Sequence, residues 1–495
     1  MGRPTRAPAR LGLTLGVVWA VWALTAGAPE SAAQEWRVRA HTRLHYLEAR
    51  SLVRDSVPVA QTTGTGQQRL AGDTVVSCAP GAAHCYFYRS EATRSTTPVV
   101  QDLDVSGWGF GVEGLRVYLN VRLRTAFGDD EFWPRTDDHF DVFAAYAELD
   151  REAYRVRLGR DYALSGLGYY GYDGASVVLR LLEKRVRLEA YGGWGLERGL
   201  PEPVTSDALA SLEEFQPRDR NLLFGFRGST RPWPGASFEA IYQREIETDR
   251  SGIASERVAV DGAYSPASGV WLSGHADYDL ATGWWGKAGT TVAWSPRPAL
   301  YVEGRLFRYR PVFSLQTIWA AFSPTPYSGW GLAVAVRPAR DLSLRIEGER
   351  RAYGETDAEV PFHVTTDRAW RAGARAQWQP TDRLDIAGGY WLNFSFGAGL
   401  SAGEARVRFR PADGWRIGVR TSAFQQLEEF RVGEGRVWSL GGDVEWRMET
   451  ATLWLSVDRY RHDRRDAEAV DPDWTQTRAA AGLALYLGSE PGGGQ

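Results

Sequence analysis

The chain lacks a long apolar run after its first 33 residues: no later window reaches the roughly 18 apolar residues that a transmembrane helix needs. We therefore expect no transmembrane helix in the exported chain. A mean hydropathy of −0.35 also excludes a polytopic helical membrane protein. The formal net charge is only −3, which gives no reason to expect a nucleic-acid partner.

Cysteine, methionine and lysine are scarce, whereas glycine and aromatic residues are abundant. The 495 residues include 2 Cys, 2 Met and only two lysines, Lys184 and Lys287, against 54 Gly, 21 Trp, 21 Tyr and 19 Phe. An aromatic content of 12% excludes a disordered chain. Soluble cores consist mainly of Leu, Ile, Val, Phe and Ala. The composition therefore fits poorly with the roughly three soluble domains that the length suggests.

Arginine supplies almost all of the positive charge, and two explanations remain open. A GC-rich genome favours arginine codons. Alternatively, the function favours planar donors that bind carboxylate or phosphate through two hydrogen bonds.

Residues 1–33 have the features of a signal peptide. Arg3, Arg6 and Arg10 precede an apolar run over 11–24, and small residues follow at 31–33. A basic region, an apolar region and a small-residue cleavage site are the parts of an export signal. We expect cleavage after residue 33.

The two cysteines, Cys78 and Cys85, lie seven residues apart, with His84 beside them. An exported chain reaches an oxidising compartment, which favours a local disulfide. A metal site is the alternative, but two Cys and one His make an incomplete ligand set. The sequence predicts a disulfide, no metal site and no cofactor.

Polar and apolar residues alternate along most of the exported chain. In 36–46, apolar residues and Thr occupy the even positions, while Arg and His occupy the odd ones. The alternation recurs in 115–124, 154–158 and 370–378. A period of two indicates β-strands with one apolar and one polar face.

Short turns alternate with longer polar connections from end to end, with about ten tight turns in all, as in a transmembrane β-barrel. The longer connections include 49–100, 162–174, 195–219 and 309–328. Such barrels have short periplasmic turns and long extracellular loops. We predict an all-β fold: one antiparallel barrel over 34–488 with about 22 strands (range about 18–24), followed by a flexible tail, 489–495.

Aromatic residues beside the tight turns fit the interfacial girdle of such a barrel. They are Trp294, Tyr301, Trp378, Trp415, Trp446 and Trp454. A soluble propeller would show a repeat of about 40 residues, and the sequence shows none. The pattern favours a barrel in the outer membrane of a Gram-negative envelope.

The polar strand faces are expected to line the lumen, and they are rich in arginine. The candidate pore-lining residues are Arg37, Arg39, Arg43, Arg116, Arg122, Arg124, Arg155, Arg157, Arg371, Arg375, Arg406, Arg408, Arg410, Arg416 and Arg420. Acidic residues share these faces, among them Glu189, Glu239, Glu303, Glu347, Glu349 and Asp385. Two hypotheses remain open: cross-strand ion pairs stiffen the wall, or unpaired arginine rows attract anions. Barrel closure is expected to join the arginine-rich strands from both chain ends into one basic patch.

A barrel of about 22 strands encloses a lumen wide enough to need a filling segment. Residues 49–100 form a connection far longer than a hairpin loop. They either fold inward as a constriction or cap the barrel from outside. Segments 195–219 and 309–328 are secondary candidates for the constriction.

Part of the sequence resembles porin-like and alginate-export outer-membrane proteins. The similar stretches are 144–149, 154–161, 172–175 and 187–191. Those families have a hairpin ending in a Leu-Gly-Arg-Gln motif, a loop, and a Phe-Asp-Gly step into the next strand. Here Asp161 replaces the Gln and Tyr172 replaces the Phe. The resemblance implies passive passage of an anionic or neutral solute, such as an oligosaccharide, through an arginine-lined pore.

The sequence thus predicts a porin-like channel for small or anionic solutes, with outer-membrane lipid and the solute as partners. The alternative is a closed structural or adhesive barrel without transport. An enzyme is not expected, because the seven histidines are scattered and form no catalytic constellation with a nucleophile. A TonB-type active transporter would need a large plug domain before the first strand, which we expect near Gln34. The oligomeric state stays open.

Overall fold

The computed structural model describes most of the chain between residues 35 and 488. The described residues are 35–49, 52–72, 74–90, 92–128, 140–196, 221–248, 252–310, 326–354, 368–395, 398–429, 435–464 and 474–488. The predicted signal peptide and tail lie outside the described residues, as do most of 195–219 and 309–328, so these assignments stay predictions.

Within these ranges the chain forms 26 strands and one short 3-10 helix, Val59–Gln61. The strands are β1 (Glu35–Ala49), β2 (Leu52–Pro58), β3 (Gln68–Ala71), β4 (Thr74–Cys78), β5 (His84–Ser90), β6 (Arg94–Trp108), β7 (Leu115–Gly128), β8 (Phe140–Asp150), β9 (Tyr154–Ser165), β10 (Gly168–Leu181), β11 (Val186–Gly195), β12 (Leu222–Thr230), β13 (Ala236–Ile246), β14 (Ile253–Ala267), β15 (Val270–Asp279), β16 (Trp284–Arg297), β17 (Leu300–Tyr309), β18 (Tyr327–Ala339), β19 (Leu342–Tyr353), β20 (Arg368–Thr381), β21 (Leu384–Phe394), β22 (Ala398–Phe409), β23 (Trp415–Glu429), β24 (Gly435–Arg447), β25 (Ala451–Arg464) and β26 (Trp474–Gly488). Among the described residues, no helix is long and apolar enough to cross a membrane.

Twenty-two antiparallel strands form one closed sheet, made of β1 and β6–β26. Neighbours in the chain are paired from β6 to β26, and β1 closes the barrel by pairing with both β6 and β26. The prediction of an all-β barrel with about 22 strands is confirmed. The period-two pattern gives every strand one apolar face, and closure leaves the sheet without an unpaired edge.

The connections divide the barrel into two rims. Tight turns join β6 to β7, β8 to β9 and the following pairs up to β24 and β25, and β1 begins and β26 ends on that same side. We call this side the turn rim and the opposite side the loop rim. In outer-membrane barrels the turn rim is periplasmic and the loop rim is extracellular.

The outer face of the barrel carries large, exposed apolar side chains. Ile346 is 67% exposed, Leu306 is 61% exposed and Trp294 is 52% exposed. A closed sheet with an apolar outer face leaves no unpaired backbone group in hydrocarbon. The chain is therefore an outer-membrane β-barrel whose outer face contacts lipid.

Four of the six aromatic residues predicted for the girdle lie exposed on this outer face. They are Trp294, Trp378, Trp415 and Trp446. The prediction is wrong for Tyr301 and Trp454, which occupy inward positions in register with polar residues of their own strands. Tyr301 donates a hydrogen bond to the inward Glu303 (2.5 Å), and Trp454 covers Gly482 on the inner face. Proximity to a turn did not reveal which face each ring occupies.

Residues between β1 and β6 form a second, four-stranded sheet in the order β2-β5-β4-β3. A disulfide joins Cys78 of β4 to Cys85 of β5. Both cysteines and Val76 are buried in a small core. The long connection thus has a hydrophobic centre of its own, held by a covalent link between adjacent strands.

Candidate functional site: the barrel lumen

The hairpin formed by β9 and β10 folds into the barrel and packs against its inner wall. Leu167, at the tip, is 5% exposed and packs with Ile241 of β13 and Ala259 of β14. The neighbouring tip residue, Gly166, lies against His275 of β15. These partners lie three to five strands from the hairpin, so its tip crosses part of the lumen.

A row of three glycines lies at the base of this hairpin. Gly159, Gly174 and Gly193 are paired across β9, β10 and β11. Gly159 has a φ of +128°, a conformation that favours glycine, and a Cβ on Gly174 would collide with the backbone of β11. The row therefore lets the hairpin bend away from the barrel wall.

Buried charges hold the hairpin tip. Arg257 of β14 donates a hydrogen bond to the Leu167 carbonyl (3.1 Å) and forms an ion pair with Asp277 (3.2 Å). Arg257 is 9% exposed and Asp277 is 3% exposed. His275 bridges Asp277 and Asp261 through its two ring nitrogens, at 3.4 Å and 2.7 Å. Each buried charge thus has a partner, which a water-poor site requires.

The prediction of a long polar connection over 162–174 is wrong. Strand β9 continues to Ser165 and β10 begins at Gly168, so two residues connect them. Side-chain exposure still alternates between Asp161 and Leu167, but the hairpin packs on the inner wall of the barrel instead of forming part of that wall. Leu164 is 63% exposed, whereas Leu167, three residues later, is buried.

The stretches that resemble porin-like proteins form the base of this hairpin. Arg157 of β9 forms ion pairs with Glu148 of β8 (2.7 Å) and with Asp161 (3.2 Å). The Tyr172 ring stacks on Tyr191 of β11, with ring centroids 5.7 Å apart, and both rings are buried. The residue that replaces Gln in the family motif, Asp161, thus supplies a charge for Arg157.

Of the fifteen arginines predicted to line the pore, fourteen occupy inward strand positions and Arg410 lies in the turn after β22; we call the fifteen the arginine wall. In ten of them, a guanidinium nitrogen lies within 4.0 Å of a carboxylate oxygen. The pairs are Arg43 and Arg122 with Asp102, Arg124 with Asp141, Arg155 and Arg157 with Glu148, Arg371 with Glu347, Arg375 with Glu404, Arg406 with Asp385, Arg416 with Glu445, and Arg420 with Asp443 and Asp458. Most of this wall is therefore electrically neutralised, which favours the ion-pair hypothesis for these ten. The pore-lining role of the set stays a prediction.

The other five arginines of the wall form no ion pair with any described residue. Arg37 lies over the Trp108 ring (5.8 Å to its centroid), and Arg410 donates to the Asp382 carbonyl (3.4 Å). Arg39, Arg116 and Arg408 complete the group. All five lie toward the turn rim, near strand ends.

The six acidic residues predicted to point inward all form ion pairs with arginine. They are Glu189, Glu239, Glu303, Glu347, Glu349 and Asp385. Sequence alternation placed these acids on the correct face, but their partners depend on strand register.

The arginine-rich strands from the two chain ends do not form one basic patch. Three strands, β24–β26, separate β1 from β23. Their inner face presents Asp443, Glu445 and Asp458, which pair with arginines, together with small residues such as Gly482. Acidic and small side chains thus interrupt the expected patch.

A cavity of about 1040 Å³ lies on the inner face between β10 and β19. Eight cationic side chains and three carboxylates line it: Arg180, Lys184, Arg185, Arg187, Arg231, Lys287, Arg305 and Arg351, with Glu239, Asp261 and Glu349. None of the fifteen arginines of the arginine wall belongs to this lining. We call these lining residues the cavity wall.

Three cations of the cavity wall, Arg185, Arg231 and Lys287, form no ion pair in the part of the chain that the structure describes. Arg185 and Arg231 lie at tight turns, and Lys287 lies on β16. Alternation of polar and apolar residues does not reveal Arg185 and Arg231, because both lie beside strand ends. Both lysines of the chain line this cavity. The rarity of lysine was therefore the sequence signal that could have pointed to the cavity wall.

Among the described residues, no group of three His, Cys, Asp or Glu side chains could hold a metal ion. His139 and His363 lie outside the described residues.

No protein-family model and no curated protein sequence matches the chain. Several solved structures are similar in fold. Pseudomonas aeruginosa OpdQ is 8% identical, with a TM-score of 0.40 over 92% of this chain and 99% of that one. Acinetobacter baumannii OccAB1 is 9% identical, with a TM-score of 0.39 over 91% and 97%. Pseudomonas aeruginosa OccK2 (OpdF), solved in complex with glucuronate, is 8% identical, with a TM-score of 0.38 over 92% and 98%.

Proposed function

We propose that this barrel is a porin-like channel through which small anionic solutes pass passively across the outer membrane. The cavity wall carries the proposal, because Arg185, Arg231 and Lys287 add positive charge there without a carboxylate partner. Charged groups that line a pore set which ions enter it, and a low-dielectric wall strengthens their field.

The cavity also suggests which anions would be accepted. Its volume of about 1040 Å³ is at the upper end of small-molecule sites. Hydroxyl groups of Ser273 and Thr291 and the Tyr327 ring lie among the cations. This mixture suits a solute that carries both carboxylate and hydroxyl groups, such as a short acidic oligosaccharide.

A closed structural barrel is the second candidate function. The β9–β10 hairpin favours it, because its tip occupies part of the lumen. The ion pairs of the arginine wall also suit a rigid, non-conducting barrel.

Conductance in a planar lipid bilayer under a KCl gradient tests the proposal. We expect discrete conductance steps and a reversal potential displaced toward that of chloride. The Leu167→Asp variant, whose hairpin tip should leave its apolar site, serves as the insertion control. If the natural protein does not conduct and the variant does, the barrel is closed. A channel that prefers cations would contradict the proposed preference for anions.

A further inference from the structure

The outer face of the barrel carries a group of arginines at the loop rim, on strands β17–β20. Arg308, Ser328, Ala352 and Arg368 are neighbours in register across these four strands. All four are exposed. Strand spacing puts the α-carbons of Arg308 and Arg368 roughly 14 Å apart. The short side chains of Ser328 and Ala352 leave a shallow gap between the two arginines.

A third arginine lies directly below this gap, toward the middle of the membrane. Arg350 pairs in register with Trp330 on one side and Trp370 on the other. The two Trp side chains are 52% and 43% exposed on the outer face. Trp rings at such positions mark the boundary between hydrocarbon and headgroups. The three arginines therefore lie at headgroup depth.

On the described part of this face, strands β17–β20 present arginines and no acidic side chain. Every acidic residue of β17–β20 occupies an inward position, as Glu303, Glu347 and Glu349 do. Arg308 and Arg350 form no ion pair with any described residue. Elsewhere on the loop rim an outward arginine is balanced: Arg244 lies 4.0 Å from Glu256.

We propose that Arg308, Arg350 and Arg368 form a binding site for the phosphate groups of outer-leaflet lipid. Arginine binds phosphate through parallel hydrogen bonds, and its long apolar stem reaches from the sheet to the headgroup layer. The gap above Ser328 and Ala352 admits a headgroup between two guanidinium groups. A lipid is the expected occupant because this surface faces the membrane and not the lumen.

Lipid retention in detergent tests the site. Purified protein is incubated with bisphosphorylated lipid A, with dephosphorylated lipid A or with phosphatidylcholine, and bound lipid is counted by native mass spectrometry. We expect selective retention of the phosphorylated form, reduced at least about tenfold in the variant Arg308→Gln/Arg350→Gln/Arg368→Gln. The matched control, Arg244→Gln, removes a paired outward arginine of the same rim and should retain lipid A fully.

Two further arms make each outcome decisive. The Arg→Lys triple variant keeps the charge and should retain most of the lipid, which separates loss of binding from loss of folding. Equal retention by the Gln variant, or equal retention of dephosphorylated lipid A, would overturn the proposal. Displacement of lipid A by millimolar inorganic phosphate would instead identify a site for free anions and would also overturn it.

Discussion

The arginine wall and the cavity wall differ in where their unpaired cations lie on one inner surface. In the arginine wall, ten of fifteen arginines lie within 4.0 Å of a carboxylate. In the cavity wall, five of the eight cations do so, and the three that do not, Arg185, Arg231 and Lys287, line a single cavity. The density of arginine is therefore a poor guide to the electric field that a solute meets. Cations without a partner, whether Arg or Lys, determine that field.

The hairpin tip covers part of the cavity wall, so releasing it should have the largest effect. Leu167→Asp introduces a charge into an apolar site, whereas Leu164→Asp changes an exposed leucine of the same hairpin. We expect the first variant to raise single-channel conductance at least about twofold, because a buried leucine contributes about 2 kcal/mol to docking. The second should conduct as the natural protein does. Equal conductance in all three would show that the hairpin does not limit the pore.

Stability should separate paired from unpaired arginines within the arginine wall. Arg420 holds Asp443 at 2.9 Å and Asp458 at 2.5 Å. Arg420→Gln leaves these carboxylates facing each other, and we expect a loss of about 1–2 kcal/mol in the free energy of unfolding. Arg408→Gln, which removes an arginine without an ion pair, should cost little. Urea unfolding in lipid vesicles measures both, and a similar loss in the two variants would remove the distinction.

The two lysines provide a matched pair within the cavity wall. Lys184 lies 4.0 Å from Glu152, whereas Lys287 has no carboxylate partner among the described residues. Lys287→Gln should lower the ratio of chloride to potassium permeability about twofold, the effect of a unit charge about 8 Å from the ion path. Lys184→Gln should lower it less. A larger effect at Lys184 would show that a carboxylate partner does not neutralise a cation of the cavity wall.

The disulfide should have the smallest effect on the barrel, because the small sheet that contains it is separate from the wall. Cys78→Ser/Cys85→Ser removes a link worth about 2 kcal/mol for so short a loop. We expect faster proteolysis within residues 52–90 and no change in barrel unfolding or conductance. A lower unfolding temperature of the barrel would show that this sheet supports the wall.

The barrel was predictable because its signals are local. Alternation, tight turns and their number follow from residues close together in sequence, so the strand count and the inward face of residues such as Arg122 could be read directly. Alternation in the same way places Arg308 and Arg350 on the outer face, because each lies two residues from an exposed, lipid-facing position.

The ion pairs and the constriction were not predictable, because they depend on register and tertiary packing. Arg43 meets Asp102, 59 residues away, and no local pattern encodes that pairing. The β9–β10 hairpin packs on strands three to five places distant, and no local pattern encodes that contact. Its only local signals were glycines such as Gly159 and Gly174.

The reversal potential of two variants that each lack two cations, one with and one without the partner carboxylates, tests most directly the claim that unpaired cations set selectivity. Lys287→Gln/Arg231→Gln removes two unpaired cations from the cavity wall. Arg375→Gln/Arg406→Gln/Asp385→Asn/Glu404→Gln removes two ion pairs, and so two cations, from the arginine wall. Under a KCl gradient, we predict that the first variant has a lower chloride preference than the natural protein and that the second retains the natural preference. Loss of the preference in the second variant alone would contradict the account.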